Sequence, residues 1–368
     1  MNLLICVPTY NEAENIAPFM NAVFAAAPPD AHILVIDDNS PDGTAGIVKA
    51  MQEKYGERLH LLERPGKQGG ASAFLQGFGW GIKNNYDAML AMDADFSHDP
   101  KYIPQIAEKA AVFDVVIGSR MVRGGGIENR SFLRNAISGG ASLYCRLFLG
   151  SKIKDWTGGF NLWSKTALEK IDISSVFTRG YSFQLEMKYK ALRAKCSVTE
   201  IPIIFPDRKA GYSKMSASYF GKALADVWRI KFACIKNKTV KQILKFAVTG
   251  GLGTLTNLAL FFLFADMAKL NAIAVSAGCF IIAGAQNYMI HHKWSFIENT
   301  GGTKPSFRKW LVFMASSLVG LAVNIGVLNF MLASFVLPFK VIAQGCGILC
   351  GMIINFIAAK FVVFRKKS

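Results

Sequence analysis

Charged residues are scarce in this chain, and the acidic ones are scarcer than the basic ones. Asp, Glu, Lys and Arg make up 18% of the 368 residues, and apolar residues make up 52%. An ordinary soluble domain has about 25% charged residues. The 42 Lys and Arg outnumber the 25 Asp and Glu, which leaves a net charge of +17. This composition argues against a protein that is soluble throughout, and it favours nucleic acid or an anionic membrane surface as a partner.

The chain also lacks the cysteine patterns of disulfide-rich and zinc proteins. Its 7 cysteines are scattered, and no two of them have the Cys-x-x-Cys spacing. The N-terminus has no basic region, and Pro8 and Glu12 interrupt its apolar run too early for a signal peptide. We therefore expect reduced thiols and a first domain that stays in the cytoplasm.

Four uncharged stretches fill the end of the chain, at 246–265, 270–290, 311–339 and 341–359. As a helix with a rise of about 1.5 Å per residue, each is long enough to cross a bilayer core of about 30 Å. Lys and Arg cluster before the first stretch, between the second and third, and after the fourth. The positive-inside rule then predicts a multi-pass membrane protein with four transmembrane helices and both termini in the cytoplasm. Because much of the basic excess borders these helices, we expect a lipid bilayer and no nucleic acid as partner.

The membrane half contains an internal repeat. Asn287 near the end of the second stretch is followed by Phe296, and Asn355 near the end of the fourth is followed by Phe364 at the same spacing. Two similar hairpins are the simplest account. On these features residues 243–368 resemble the small GtrA-like membrane domain. In that family the domain anchors a glycosyltransferase or is proposed to help a lipid-linked sugar across the bilayer.

The segment 216–242 between the two halves is predicted to form an amphipathic helix. Apolar residues recur in it at helical spacing, and basic residues occupy the other side. A basic amphipathic helix beside a bilayer is typical of the membrane interface. A helix packed on the first domain is the alternative.

Residues 1–215 alternate short β-branched runs with helical patterns, which predicts an α/β domain with a mostly parallel sheet. The expected strands are 3–7, 33–36, 59–62, 88–92, 115–117 and 198–205. The sequence SPDGT at 40–44 supplies cap residues and a proline where a helix should begin. Ligands of such sheets collect at the carboxyl ends of the strands, so the residues after each run are the candidates for a site.

Two of these strand ends are acidic. Asp37 and Asp38 follow one apolar run, and Asp93 and Asp95 follow another. Hard divalent cations prefer carboxylate oxygens, and a bound diphosphate needs such a cation to neutralise its charge. An isolated Asp-x-Asp is also compatible with a solvated turn. Its position directly after an apolar strand favours a site for Mg²⁺ or Mn²⁺.

Five segments together carry a more specific resemblance. In chain order they are VPTYNE (7–12), VIDDNSPD (35–42), MDADFSH (92–98), GSR (118–120) and DRKAGYSK (207–214). This combination resembles the dolichyl-phosphate (polyprenyl-phosphate) mannose synthases, which are family 2 glycosyltransferases with the Rossmann-like GT-A fold. The resemblance covers about residues 1–215. It implies a hexosyltransferase that moves a sugar, with mannose from GDP-mannose expected first, to polyprenyl or dolichyl phosphate.

The resemblance also implies a donor site with a metal ion. The residues expected to bind the nucleotide sugar are Pro8, Tyr10, Glu12, Ile36, Asp38, Lys67, Asp93, Ala94, Asp95, Arg208 and Lys214. Asp93 and Asp95 would hold Mg²⁺ or Mn²⁺ on the diphosphate. Ser97 stands where some relatives have a Gln ligand, and it would bind the metal through its hydroxyl or leave that position to water. Asp155 is the expected contact for a sugar hydroxyl, and Glu186 either orients a hydroxyl or pairs with a nearby basic residue.

The acceptor phosphate is expected to bind Arg120, Arg134 and Ser138, which match the positions that hold it in the family. A planar guanidinium bonds two phosphate oxygens at once, although a solvated helix face is the alternative for Arg134. A lipid phosphate monoester has a second pKa of about 6 and is largely a dianion at neutral pH, so no general base is obligatory. In-line attack would give an inverted, β-linked product, with Asp95, Arg120 and Arg134 as catalytic residues.

Two other functions remain open. A polyprenyl-phosphate glucosyltransferase that uses UDP-glucose would share the metal, the lipid and the mechanism, although His98 and Lys214 with their neighbours are more similar to the mannose branch. A protein that translocates lipid-linked sugars and uses its first domain only for binding is the alternative from another class. Processive polysaccharide synthases are disfavoured because the chain lacks their Gln-x-x-Arg-Trp motif.

Overall fold

The structure is a computed structural model, which describes residues 1–128, 132–150, 152–180, 182–206, 217–235, 237–335 and 340–365. The chain divides into two compact units, Met1–Cys234 and Ile235–Ser368. The division falls inside the segment 216–242, which the sequence analysis assigned to a linker.

The first unit combines strands and helices in alternation. Its strands are β1 (Leu3–Thr9), β2 (His32–Asp37), β3 (Leu59–Glu63), β4 (Ala88–Ala91), β5 (Val115–Ser119), β6 (Gly126–Glu128), β7 (Asn161–Ser164), β8 (Val198–Pro202) and β9 (Ile204–Pro206). Its helices are α1 (Ile16–Ala26), α2 (Thr44–Tyr55), α3 (Gly70–Lys83), α4 (Ile103–Ala110), α5 (Phe132–Leu149), α6 (Lys165–Ile171), α7 (Ser182–Arg193) and α8 (Ala217–Ala233). Each expected strand is present, although the last one, 198–205, is divided into β8 and β9.

Seven strands form one sheet in the order β3-β2-β1-β4-β7-β5-β8. Neighbouring strands are parallel, except that β7 runs antiparallel to both β4 and β5. The prediction of an α/β domain with a mostly parallel sheet is therefore confirmed. Strands β6 and β9 form a separate parallel pair. No signal in the sequence marks β7, because this strand has only 4 residues and none of them is β-branched.

Both faces of the sheet are covered, which explains why its strands are continuously apolar. In β1, Leu4 and Cys6 belong to the core on one face together with Phe78 of α3. The alternate residue Ile5 belongs to the core on the other face together with Phe19 of α1. Fully burying one such aliphatic side chain contributes roughly 1.5–3 kcal/mol. The paired cores thus hold the strand ends, and the residues that follow them, in fixed positions.

Helix α2 begins where the sequence predicted it. Asp42 accepts hydrogen bonds from the backbone N–H and the hydroxyl of Thr44, at 3.0 and 2.6 Å. Gly43 between them has a φ of 87°, a left-handed conformation that a side chain would strain. Asp42 also accepts the backbone N–H of Ala13 at 2.9 Å, so it ties the turn after β1 to the start of α2.

Helix α8 is amphipathic, and its apolar face packs within the first unit. Val227 and Ile230 are buried in the same core as residues of α5 and α7, and the Trp228 ring lies 4.8 Å from that of Phe148 in α5. Lys222 remains exposed on the other side. This packing agrees with the second expectation for this segment, a helix that packs on the first domain.

The second unit is helical in the part that the structure describes. Its helices are α9 (Lys238–Phe261), α10 (Ala272–Ile290), the short α11 (Ile297–Thr300), α12 (Phe307–Ser334) and α13 (Lys340–Ala358). The segments Lys238–Phe264 and Phe307–Met331 are long and apolar enough to cross a membrane. They expose large apolar side chains, among them Leu255, Leu258 and Phe330. A surface of this kind suits a lipid environment.

The two long hairpins, α9 with α10 and α12 with α13, each contain the same kind of contact between a glycine and an asparagine. A Cβ at Gly253 of α9 would clash with the side chain of Asn287 of α10, and a Cβ at Gly320 of α12 would clash with Asn355 of α13. Both asparagines lie one turn before a π-helical segment that ends the hairpin. The internal repeat predicted from the sequence is therefore confirmed as a matching glycine–asparagine contact in each hairpin.

Candidate active site

One edge of the large sheet collects the candidate residues. Strands β1, β2, β4 and β5 run in the same direction, so the residues after Thr9, Asp37, Ala91 and Ser119 lie at the same edge. Because β7 runs the other way, the segment 155–160 that precedes it reaches this edge too. The carboxyl edge of parallel strands is where ligands of such sheets bind.

The turn after β4 presents two carboxylates and a hydroxyl. Asp93 exposes 43% of its side chain, and half-buried Asp95 accepts the backbone N–H of Ser97 at 3.1 Å. The Ser97 hydroxyl is buried and has no hydrogen-bond partner among the described residues. Within that part of the chain, no group of three or more His, Cys, Asp or Glu could hold a metal ion. Hard oxygen donors of this kind fit Mg²⁺ or Mn²⁺, provided that water or diphosphate oxygens complete the coordination.

The acidic pair after β2 is engaged within the protein. Buried Asp37 accepts hydrogen bonds from neighbouring hydroxyls, and Asp38 forms a buried ion pair with Arg64. The Oδ2 atom of Asp38 also accepts the backbone N–H groups of Gln68 and Gly69, at 3.0 and 2.9 Å. Asp38 therefore fixes the loop that leads into α3. No local signal marks Arg64 as a partner of Asp38, since only the fold brings the two together.

Two residues expected to bind the donor lie together beside this loop. The Lys67 ammonium is 3.8 Å from the centre of the Tyr10 ring, a cation–π contact. Pro8 and Glu12, on either side of Tyr10, are half-buried. Ile36 is different, because its side chain is fully buried in the core. Any contact of Ile36 with a nucleoside would therefore involve its backbone and not its side chain.

Arg120, directly after β5, is clamped by Asp155. Its Nε and Nη2 atoms donate to the two carboxylate oxygens at 2.8 Å each, and its backbone N–H donates at 3.0 Å. Asp155 is fully buried and also accepts the backbone N–H groups of Thr157 and Gly158. Burial alone would raise the pKa of Asp155, but the hydrogen bonds and charge of Arg120 hold it well below its ordinary value. The expectation that Asp155 contacts a sugar hydroxyl is thus wrong in this structure, because the carboxylate is enclosed and orients Arg120.

A buried lysine holds the same segment from the other side. Lys188 of α7 has no exposed surface, and its Nζ donates to the backbone carbonyls of Asp155 and Gly158 at 2.8 Å each. Burial lowers the pKa of Lys188 to about 8, although the Asp155 charge acts to raise it. Lys188 was not among the predicted residues, because no local pattern marks a lysine whose partners lie on a distant loop.

Glu186, two residues earlier on α7, pairs with a basic residue, which is the second of the two roles expected from the sequence. Its carboxylate is buried and accepts the backbone N–H and the hydroxyl of Thr178, at 2.8 and 2.7 Å. It also forms an ion pair with Lys190 at 2.9 Å. Glu186 therefore pairs with a basic residue and anchors the chain before α7.

The remaining predicted residues are placed only in part. Ala94 is buried between the two carboxylates of the β4 turn. Arg134 and Ser138 lie in α5, which is helical as predicted, but their side chains fall outside the described part of the chain. Arg208 and Lys214 lie outside the described residues altogether.

Fold and site together define the class of the protein. A parallel α/β sheet that presents acidic side chains at its carboxyl edge is the architecture of GT-A glycosyltransferases. Residues 4–172 match the family 2 glycosyl transferases, and residues 245–364 match the GtrA/DPMS transmembrane domain. The chain belongs to the polyprenol-phosphate mannosyltransferases of glycosyltransferase family 2.

Two curated relatives carry this assignment. The chain is 39% identical over 231 residues to a polyprenol monophosphomannose synthase of Mycolicibacterium smegmatis. The matched region covers 62% of this chain and 87% of the relative. The chain is 38% identical over 229 residues to an undecaprenyl-phosphate mannosyltransferase of Micrococcus luteus. This matched region covers 62% of this chain and 93% of the relative. A mannosyltransferase of Pyrobaculum calidifontis, solved with GDP-Man and Mn²⁺, is a distant structural match. It is 13% identical, with a TM-score of 0.40, over 98% of this chain and 88% of the other.

Proposed function

We propose that this enzyme transfers mannose from GDP-mannose to polyprenyl phosphate, with a divalent cation and with inversion at the anomeric carbon. The names of the relatives supply the sugar and the class of lipid. The observation that carries the proposal is the grouping of three features at one sheet edge. They are the carboxylate turn after β4, the Tyr10–Lys67 pair after β1, and the clamped Arg120 after β5.

The donor half of the proposed site lies along β1, β2 and β4. Tyr10 presents a ring for the base or ribose, and Lys67 beside it presents a positive charge for the diphosphate. Asp38 acts by holding the loop that carries Lys67. Asp93, Asp95 and Ser97 would hold Mg²⁺ or Mn²⁺, which neutralises the diphosphate when it is bound. Arg208 and Lys214 complete the donor site in this proposal.

The acceptor half of the proposed site centres on Arg120. Asp155 binds the edge of its guanidinium formed by Nε and Nη2, which presets the orientation of the group. Arg134 and Ser138, four residues apart on α5, share one helix face, and we assign the lipid phosphate to this face and to Arg120. The phosphate dianion is itself the nucleophile, so the protein has to align it with the sugar and offset the repulsion between the two phosphate groups. An α-linked donor then gives a β-linked product.

The proposed lipid-facing surface of the first unit is formed by α5 and α8. Leu143 and Leu147 of α5 and Trp228 of α8 are exposed, and the Lys231 ammonium lies 5.9 Å from the rings of Trp228 and Phe148. Exposed apolar and aromatic side chains next to basic ones suit the boundary between lipid head groups and acyl chains. We propose that this surface lies at the cytoplasmic face, and that four transmembrane helices leave both termini in the cytoplasm.

A donor panel tests the proposal. Detergent-solubilised full-length protein is incubated with polyprenyl phosphate, Mn²⁺ and radiolabelled GDP-mannose, UDP-glucose or other nucleotide sugars. The expected result is labelled lipid from GDP-mannose and none after addition of EDTA. Labelled lipid from UDP-glucose alone would instead make the enzyme a glucosyltransferase. Donor binding without any lipid product would favour a translocation protein with a binding domain.

A further inference from the structure

His98 lies at the proposed metal site, and the donor and acceptor assignments give it no role. It follows the carboxylate turn after β4, and only 2% of it is exposed. Its Nδ1 atom is 2.9 Å from the backbone nitrogen of Asp93. A backbone N–H can only donate, so Nδ1 accepts this hydrogen bond and the neutral ring carries its proton on Nε2. The Nε2 atom is 3.9 Å from Oδ2 of the same Asp93. One ring therefore faces both the backbone and the carboxylate of a single residue.

The other sides of the His98 ring are enclosed by the segment that leads into β7 and by β9. The ring stacks on Phe160, with 4.8 Å between the centroids and 9° between the planes. Phe205 meets it edge-on at 6.0 Å. The ring also lies close to the backbone at Gly159, where a Cβ would be 3.4 Å from Cε1 of His98. His98 thus fills the space between the carboxylate turn and the segment that orients Arg120.

The turn itself has an unfavourable backbone conformation that needs support from its surroundings. Phe96, between Asp95 and Ser97, has a φ of 59°, a left-handed conformation that is rare for a bulky residue. Such a conformation is unfavourable and persists only where neighbouring contacts enforce it. Phe96 packs edge-on against Phe19 at 5.2 Å on one side of the turn. His98 supplies the hydrogen bond on the other side.

We propose that His98 is a positioning residue that holds Asp93 in place for a divalent cation. It acts through the hydrogen bond from the Asp93 N–H to Nδ1 and through its stacking on Phe160. The proposal rests on the metal site of the proposed function. It goes beyond that site because it assigns part of the metal affinity to a side chain that does not touch the metal. Removing a partner of this kind typically weakens metal binding by about 10–100-fold.

Two variants lose the same ring stacking but differ in whether the hydrogen bond can form. In His98→Asn, the side-chain Oδ1 takes the place of Nδ1 and can accept the Asp93 N–H. In His98→Gln, the amide lies near the place of Nε2 and leaves that N–H without its acceptor. Mn²⁺ binding to the full-length protein in detergent, with GDP present, is measured by electron paramagnetic resonance of free Mn²⁺. We expect His98→Gln to bind Mn²⁺ about tenfold or more weakly than the wild type, and His98→Asn, which keeps the acceptor but loses the stacking, to bind Mn²⁺ more tightly than His98→Gln.

Each outcome of this experiment decides a separate point. If His98→Gln binds Mn²⁺ as tightly as the wild type, the role assigned to His98 is wrong while the metal site stands. If the wild type binds no Mn²⁺, the metal site of the proposed function fails and the role of His98 fails with it. A second measurement needs no variant, in case His98→Gln does not fold. Hydrogen exchange at the Asp93 amide should be strongly slowed in the wild type, and exchange at the rate of an open loop would overturn the proposal.

Discussion

Replacing Asp155 with Asn should break the clamp on Arg120. The carboxylate accepts hydrogen bonds from the backbone N–H, Nε and Nη2 of Arg120, and from the backbone N–H groups of Thr157 and Gly158. An Asn side chain has one oxygen in place of two. Its NH₂ group stands where the second carboxylate oxygen accepted hydrogen bonds, and it can only donate, so the N–H groups on that side lose their acceptor. Because Asp155 is fully buried, water cannot replace the lost acceptor.

The size of the effect follows from this geometry. Each buried donor left without a partner costs about 1–3 kcal/mol, and removing one member of a buried ion pair costs about 3–5 kcal/mol in all. We therefore expect Asp155→Asn to destabilise the segment around Thr157 by about 3–5 kcal/mol. An exposed pair provides the control. Lys49 and Glu63 are 2.7 Å apart but about half exposed, so Glu63→Gln should cost less than about 1 kcal/mol.

Amide hydrogen exchange measures this locally in the full-length protein. The Thr157 and Gly158 amides donate directly to the carboxylate, so their exchange reports on the clamp. Since about 1.4 kcal/mol corresponds to a tenfold change, their exchange in Asp155→Asn should be faster by about a hundredfold or more. Mannosyl transfer should fall as well, because Arg120 loses its orientation. Unchanged protection of both amides would refute the clamp and the role given to Asp155.

Four further predictions follow from the site and the topology. Asp95→Asn, like EDTA, should remove most of the mannosyl transfer, and full activity in EDTA would exclude the metal. For Lys188, the unfolded chain retains between about pH 8 and 10.5 a proton that the folded chain lacks, so the free energy of unfolding should rise with pH in this window. Relative to Lys188→Met, the free energy of unfolding of the wild type should rise by about 3 kcal/mol across this window, and the difference in melting temperature in detergent should change with it. A difference in melting temperature that does not change with pH would contradict the burial of a protonated lysine. Arg134→Ala should raise the concentration of polyprenyl phosphate needed for half-maximal rate but leave GDP-mannose binding unchanged, and an effect on the donor alone would move Arg134 to the diphosphate. A cysteine introduced beside Lys269 should react with an impermeant reagent on intact cells and one beside Lys304 should not, whereas the reverse pattern would invert the topology.

The features that could be predicted from the sequence are those encoded over a few neighbouring residues. The apolar run before Asp93 and Asp95 fixes a buried strand and then two carboxylates at its end, so both the strand and its ligand candidates are visible locally. The start of α2 is visible for the same reason, since Asp42 accepts the backbone N–H and the hydroxyl of Thr44, two residues further on. Strand β7 was missed because it is short and polar at both ends, and only its neighbours β4 and β5 make it a strand.

The features that could not be predicted from the sequence are contacts between residues far apart in the chain. Arg64 lies 26 residues from its partner Asp38, and Lys188 lies 30 residues from the Gly158 carbonyl. Nothing local distinguishes these basic residues from exposed ones, since the fold alone buries them against their acceptors. The same reason explains the error at Asp155. The family resemblance implied that Asp155 contacts the substrate, but the order of the strands places Arg120 beside it and the two side chains pair.

The account is tested most directly by the chemical identity of the product. Full-length protein, GDP-mannose, polyprenyl phosphate and Mn²⁺ are allowed to react, and the lipid fraction is analysed by mass spectrometry and by nuclear magnetic resonance of the anomeric centre. The account predicts a mannosyl phosphoryl polyprenol with a β-linkage, formed from the α-linked donor. An α-linked lipid, a lipid that carries another sugar, or mannose released only into water would contradict it.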